Sequence, residues 1–187
     1  MNTRKTLLTA LFSGLIIVGT FIKVPIPPVP ITLQSLFIVL AGLILGAKNA
    51  TLSVLIYLIL GAIGLPVFTG GGGIAAMIGP TGGFLLGFLI GAFVIGYISD
   101  KGRKEDNSVK VSSLIIASIV GSLIFYAVGI VWLKVQLNIS WAKSFAVGMA
   151  PFVIGDALKV ILAVLIANTF NPRIGKMIHD TEEREED

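Results

Sequence analysis

The sequence predicts an all-α integral membrane protein that forms a single domain over residues 1–187. The first observation is composition, because 55% of the residues are hydrophobic, only 13% are charged, and the mean hydropathy is +0.97. A soluble domain carries about 25% charged residues. The second observation is that the apolar residues fall in long runs, separated by segments rich in glycine, proline or charge. Most of the surface is therefore expected to face lipid.

Six apolar runs are predicted to be transmembrane helices. They cover about residues 6–22, 34–46, 51–64, 83–99, 111–133 and 149–170, and a charged cytoplasmic tail follows at 171–187. The second and third runs span roughly 20 Å each, less than the ~30 Å hydrocarbon core. A re-entrant hairpin is the alternative, but its tip would place Lys48 at membrane depth, where a charge costs at least ~2.5 kcal/mol. Two short spanning helices are preferred.

The basic residues indicate which ends of the helices face the cytoplasm. With the N-terminus inside, ten of the fourteen Lys and Arg residues lie on the inner side, and Lys159 lies within a helix. The other three are on the outer side: Lys23, Lys134 and Lys143. By the positive-inside rule, both termini are predicted to be cytoplasmic. The same clustering explains the net charge of +4 without a nucleic-acid partner.

The predicted outer connectors contain more irregular backbone than the inner ones. Residues 23–33 are rich in proline, and Thr32 and Gln34 are polar groups at the mouth of an apolar helix. Irregular backbone at membrane depth is tolerated where it lines a cavity or is buried by protein. A site that opens outward beneath these loops is therefore expected. Alternatively, the prolines form only a rigid spacer between helices, and Gln34 only caps the helix.

A second outer connector, residues 65–82, is rich in glycine. It contains Gly73 and Thr81 and leads into Gly83 and Phe84. No lysine follows in the G-x-x-x-x-G-K-[ST] pattern, so nucleotide binding is rejected. Backbone N–H groups at the start of the fourth helix are expected to approach a ligand, with Phe84 as an apolar wall. Alternatively, the glycines of this connector only form flexible turns.

Two charged residues lie within the last predicted helix, where charges are costly. Asp156 and Lys159 are three residues apart and share one helix face beside Gly155. Ionisable residues inside a membrane mark functional sites by default. Together they offer two acceptor oxygens and a cationic donor to a small polar ligand. The alternative is an ion pair that only stabilises the bundle.

Enzymatic chemistry is not expected. The chain has no cysteine and one histidine, His179 in the charged tail, so Cys/His metal sites and thiol nucleophiles are excluded. No carboxylate pair and no serine–histidine pair shares a site. Small residues recur at spacing four, which indicates close helix packing. In the first helix, Ala10 and Gly14 are placed to contact another membrane protein or to pack internally.

Four motifs together resemble the BioY family, the biotin-specific substrate-binding (S) components of energy-coupling-factor (ECF) transporters. They are PIPPVPITLQ at 25–34, GLPVF at 64–68, GPTGGFLLGF at 79–88 and PFVIGDALK at 151–159. The resemblance runs from the first predicted helix to the last. It implies an S-component bundle in a prokaryotic cell membrane, a high-affinity biotin site and no bound cofactor. It also implies a transmembrane coupling (T) component and two cytoplasmic ATPases as partners.

The resemblance also implies roles for individual residues. Asp156 is expected to accept from the ureido ring of biotin, and Lys159 either anchors the ligand carboxylate or braces Asp156. Gln34 and the glycine-rich connector complete the polar contacts, and Tyr126 is either an aromatic wall or an ordinary core residue. Ala10 and Gly14 are expected to dock onto the T component, although the family pattern has two alanines. The alternatives are an S component for another vitamin and a structural or channel-forming subunit.

Overall fold

The computed structural model describes residues 3–186, with side chains described for residues 3–174, so the side chains of most of the predicted tail, His179 included, lie outside the described residues. The predicted all-helical class is confirmed, apart from one two-stranded antiparallel ribbon. In chain order the elements are α1 (Thr3–Phe21), β1 (Lys23–Val24), β2 (Ile31–Thr32), α2 (Gln34–Ala62), α3 (Ile74–Met77), α4 (Gly82–Lys101), α5 (Val111–Leu137), α6 (Trp141–Gly148) and α7 (Val153–Glu186).

Five of the described helices are long and apolar enough to cross a membrane, where six were predicted. The difference lies in α2, which replaces the predicted pair 34–46 and 51–64 and stays helical through the expected connector. The last helix also departs from the prediction, since it begins at Val153 instead of residue 149 and continues past residue 170. Pro151 lies in the turn that precedes α7, and proline has no N–H for a helix interior. Residues 171–186 are rich in helix-forming Glu, Arg, Lys and Met.

The helix α2 folds back on itself at Gly46. The backbone there has φ 76° and ψ 178°, which is outside the helical region. Both parts of α2 contact α1. Near the end of α1, a Cβ added to Gly19 would lie 3.0 Å from the backbone nitrogen of Gln34. Six residues earlier in α1, Ser13 donates a hydrogen bond to the Ser53 carbonyl at 3.0 Å. Six residues of α1 span about 9 Å, whereas a straight α2 would separate Gln34 from Ser53 by about 28 Å. Residues 34–45 and 47–62, the first and second arms, therefore form a hairpin.

The C-terminal end of α4 holds the hairpin tip by satisfying backbone groups that the break leaves free. Ser99 donates to the Leu43 carbonyl at 2.9 Å, and Arg103 donates to the Ile44 carbonyl at 3.3 Å. The Asp100 carboxylate accepts from the Ala47 N–H at 2.9 Å. Groups at helix ends need such partners because no intrahelical partner exists for them. The tip is thus capped on both sides from a neighbouring helix.

The connectors that were predicted to share one side of the bundle contact one another. Lys23 donates to the Thr69 carbonyl at 3.2 Å, which joins the proline-rich and glycine-rich segments. From the end of α5, Trp132 donates to the Gly79 carbonyl at 2.9 Å and Gln136 donates to the Ile78 carbonyl at 2.7 Å. The pairing of β1 with β2 closes the proline-rich segment into a hairpin. These segments together cover one end of the bundle, which is called the loop end below.

Replacement of Gly46 by alanine is expected to destabilise the protein. The backbone conformation at Gly46 is nearly exclusive to glycine and costs other residues about 1–3 kcal/mol. A Cβ there would also lie 2.4 Å from an Asp100 carboxylate oxygen. The midpoint of thermal unfolding in detergent should fall for Gly46→Ala. The control is Gly14→Ala, where a Cβ meets nothing within 4 Å. Equal midpoints for the two variants would contradict the hairpin geometry.

Candidate ligand-binding cavity

A cavity of about 570 Å³, counted with its open mouth, lies beneath the loop end. The cavity is bordered by the first connector, the first turn of α2, both ends of the glycine-rich connector, and helices α4, α5 and α7. Its polar lining residues are Thr32, Gln34, Ser35, Thr69, Thr81, Tyr126, Asp156 and Lys159.

The remaining wall of the cavity is apolar and largely aromatic. It consists of Val29, Pro30, Phe84, Leu85, Phe88, Phe125 and Phe152. Phe88 and Phe125 meet edge to face with ring centroids 5.0 Å apart. Phe84 lies against Gly129 of α5, where an added Cβ would approach the ring to 2.4 Å. Small residues on the helices thus let the large rings pack closely. The rings form an apolar surface for the apolar part of a ligand.

Lys159 joins three parts of the chain at the cavity wall. Its ammonium donates to the Thr32 carbonyl at 2.7 Å, to Ser35 Oγ at 3.0 Å and to Asp156 Oδ1 at 2.8 Å. A lysine ammonium has three N–H donors, so all three are used within the protein. The side chain is 11% exposed. Lys159 therefore connects α7 to β2 and to the start of α2. Its contact with Asp156 is the one expected of a residue that braces the carboxylate.

Asp156 is held from three directions. Oδ1 accepts from Lys159, and Oδ2 accepts from the Tyr126 hydroxyl of α5. The residue also lies in the first turn of α7, where the positive end of the helix dipole stabilises a carboxylate. Its side chain is 20% exposed and lines the cavity. The carboxylate is thus oriented by the protein and keeps lone pairs for a donor that enters the cavity.

The structure brings together most of the residues that the sequence singled out. Seven of them line the cavity: Thr32, Gln34, Thr81, Phe84, Tyr126, Asp156 and Lys159. Two do not. Gly83 packs against α5, because an added Cβ would lie 2.1 Å from the Trp132 Cβ, and Gly73 lies before α3 with its N–H donating to the Gly61 carbonyl at 2.7 Å.

Several cavity residues were not singled out from the sequence. Ser35 had a visible signal, since it is a second polar residue beside Gln34 in an apolar run. Thr69 looked like any residue of a glycine-rich connector. The aromatic residues Phe88, Phe125 and Phe152 carried no signal, because they are three of eleven phenylalanines in a predominantly apolar chain.

Ala10 and Gly14 do not line this cavity, and both lie on an exposed face of α1. Nothing lies within 4 Å of the position that a Gly14 Cβ would occupy. Leu7 and Leu11 are exposed on the same helix. The opposite face of α1 is attached to the second arm of α2 through Ser13 and Ser53. Both residues are thus exposed, and Gly14 has open space beside it among the described residues.

A bundle of apolar helices around a cavity with a braced charged pair is the architecture of a membrane protein that binds a small molecule between its helices. The sequence matches the model of the BioY family over residues 1–176. It is 42% identical over 172 residues to a protein of Lysinibacillus sphaericus named "Probable biotin transporter BioY", covering 89% of this chain and 86% of that one. A protein of Pyrococcus horikoshii with the same name is 43% identical over 168 residues, covering 89% and 96%.

A solved structure agrees with these relatives. It is described as the S-component for biotin from an ECF-type ABC transporter, and it superposes on this chain with a TM-score of 0.80 at 38% identity. The match covers 92% of this chain and 90% of that chain. The chain belongs to the BioY family, as its four motifs indicated. These relatives are named as transporters and not as enzymes.

The charged pair is expected to stabilise the fold only while both partners are present. Lys159→Met leaves the Asp156 carboxylate without its ammonium, and breaking a buried pair costs about 3–5 kcal/mol. The double variant Asp156→Asn/Lys159→Met removes both charges and should recover the part of that loss that comes from the unpaired carboxylate, while the hydrogen bonds from Lys159 to Thr32 and Ser35 stay lost. Thermal unfolding in detergent measures all three proteins. A double variant as unstable as the sum of the two single variants would contradict this account.

Proposed function

We propose that this chain is the high-affinity biotin-binding S component of an ECF-type vitamin transporter in a prokaryotic cell membrane. It captures biotin from outside in the membrane-embedded cavity and delivers it through an ATP-driven partner module. The observation that carries the proposal is the oriented Asp156 carboxylate beside an aromatic wall, in a chain whose relatives are named biotin transporters.

The chemistry of the cavity supports biotin as the ligand. The ureido ring of biotin presents two N–H donors and one carbonyl acceptor, and Asp156 offers a carboxylate acceptor to one of those donors. Because the three N–H donors of Lys159 contact protein acceptors, its role is to hold Asp156 in place. The thiophane ring and the valeryl chain suit the aromatic wall, in which Phe84 and Phe125 take part.

The hairpin of α2 supports a topology of six membrane crossings. Each arm of α2 runs between the loop end and the tip at Gly46, so the two arms cross as two short helices. The exposed Lys48 at the tip then lies at the cytoplasmic surface, on the side where the positive-inside rule places it. Both chain termini lie on that side, and the cavity opens outward beneath the loop end.

The partner module supplies the ATP chemistry that this sequence lacks. The chain has no G-x-x-x-x-G-K-[ST] motif, so hydrolysis belongs to two cytoplasmic ATPase subunits. The T component docks on the open face of α1 at Ala10 and Gly14, because small residues let a second helix approach closely. Gly14 in place of the alanine usual in the family keeps that face small.

The purified chain is expected to bind biotin tightly and to bind it more weakly with Asp156→Asn or Lys159→Met. Hydrogen bonds to charged groups contribute about 1.5–3 kcal/mol, so affinity should fall roughly 10- to 150-fold. Equilibrium binding of labelled biotin in detergent measures the effect. The exposed loop-end lysine provides the control Lys143→Met, which should bind as the wild type does.

The double variant distinguishes a binding site from a structural ion pair. Asp156→Asn/Lys159→Met should fold stably and still bind biotin much more weakly than the wild type. Wild-type affinity in the double variant would show that the pair has only a structural role. Unlabelled biotin should displace the bound label, while thiamin and riboflavin should not. Displacement by either of those vitamins instead would assign the chain to a different S component.

Docking through α1 is expected to be separable from biotin binding. Gly14→Trp places a large ring on the open face, so it should abolish co-purification with a co-expressed T component and leave biotin affinity unchanged. Ile116→Trp on the exposed face of α5 is the matched control and should assemble normally. Normal assembly of Gly14→Trp, or lost assembly of both variants, would place the docking surface elsewhere.

A further inference from the structure

Three polar side chains are buried together behind the cavity wall. Tyr57 is 0% exposed, Thr20 1% and Gln34 3%. They come from different segments, since Thr20 lies near the end of α1, Gln34 begins the first arm of α2, and Tyr57 belongs to the second arm. Gln34 lines the cavity, whereas Tyr57 does not. Tyr57 therefore lies one layer farther from any ligand.

Two polar atoms of this group have no hydrogen-bond partner among the described residues. The Tyr57 hydroxyl faces the side chains of Thr20 and Gln34. Among the described residues, no hydrogen bond of normal distance and angle reaches that hydroxyl or the Gln34 Nε2, and both atoms are buried. Buried polar side-chain atoms in native proteins nearly always have a partner. Two unpartnered neighbours, one of them on the cavity wall, point to a role that involves the ligand.

Thr20 determines the direction of any hydrogen bonds in this group. Its hydroxyl donates to the Ile16 carbonyl at 3.0 Å. A hydroxyl has one proton and two acceptor lone pairs, so Thr20 can only accept from Tyr57. A hydrogen-bonded chain through these side chains can therefore run in one direction only, with Tyr57 as the donor to Thr20 and with a lone pair of Tyr57 left for another donor. On Gln34 the donor is Nε2, and this leaves Oε1 for the cavity.

We propose that Tyr57 is a positioning residue that orients the Gln34 amide, so that Gln34 Oε1 accepts an N–H from the ligand. The proposal rests on biotin as the ligand. Asp156 and Gln34 then form two acceptors on one cavity, which suits the two N–H donors of a cyclic urea. Without Tyr57, the amide is free to rotate and to present Nε2, a donor, to a ligand donor.

The surroundings of Tyr57 keep its hydroxyl in place. Its ring meets Phe68 edge to face, with centroids 5.2 Å apart and planes at 83°. Phe68 in turn lies against Gly61 of the second arm, where an added Cβ would approach the ring to 1.9 Å. The ring position is therefore set by packing. Removal of the hydroxyl alone, by Tyr57→Phe, should leave that packing unchanged.

The first test measures biotin affinity for Tyr57→Phe in two backgrounds. In the wild type, one ligand hydrogen bond is weakened and affinity should fall about 3- to 10-fold. In Gln34→Leu there is no amide to orient, so Tyr57→Phe should change affinity by less than about twofold. The matched control Tyr97→Phe, at an exposed tyrosine, should bind as the wild type does.

The second test uses Thr20 and keeps Gln34 intact, so it holds even if Gln34→Leu binds too weakly to measure. Thr20→Val removes the acceptor at the end of the chain and should weaken binding as much as Tyr57→Phe does. Thr20→Ser retains the hydroxyl and should bind as the wild type does. The double variant Tyr57→Phe/Thr20→Val should bind no more weakly than either single variant, because both interrupt the same chain.

The outcomes separate this proposal from the proposed function. Tight biotin binding by the wild type, with equal losses for Tyr57→Phe in both backgrounds or additive losses with Thr20→Val, would overturn the role of Tyr57 alone. Unchanged affinity for Tyr57→Phe in the wild-type background would also overturn it. Failure of the wild type to bind biotin would overturn the proposed function, and the role of Tyr57 with it.

Discussion

A lysine ammonium inside an apolar bundle needs acceptors for all three of its protons, and the way Lys159 obtains them shapes the cavity. One acceptor is a backbone carbonyl in β2, one is a hydroxyl in the first turn of α2, and one is the carboxylate a turn away on α7. A charge at this depth is costly without such partners. The first connector, α2 and α7 are therefore held together at one point, and Asp156 is oriented toward the space between them.

The other elements place apolar surface and backbone around that point. The reversal at Gly46 returns the second arm of α2 to the loop end, which brings Tyr57 behind Gln34. Asp100 of α4 and Arg103, which follows that helix, cap the two arms at the opposite end. The cavity thus has a braced charge on one wall and aromatic rings on the others. The hairpin and the ion pair support the same site from opposite ends of the bundle.

The names of the relatives and the contacts in the cavity both favour a protein that binds a small molecule. The two rest on different observations. The relatives are named as transporters, and the described residues contain no group of His, Cys, Asp and Glu side chains that could hold a metal ion. The charges in the cavity are few and paired. Such a site favours recognition of a small ligand by shape and by a few oriented hydrogen bonds.

The sequence by itself determined the helical membrane class, the approximate helix positions, the loop end and the placement of Asp156 and Lys159 on one face of the last helix. These follow from local features, because a charge in an apolar run or a cluster of prolines is visible without neighbours. Tertiary structure alone decided that α2 reverses at Gly46, that Gly83 packs against Trp132, and that Ser35, Thr69 and Phe152 reach the cavity. Those outcomes depend on contacts between segments far apart in the chain, and neither periodicity nor composition records which face of a wholly apolar helix meets its neighbour.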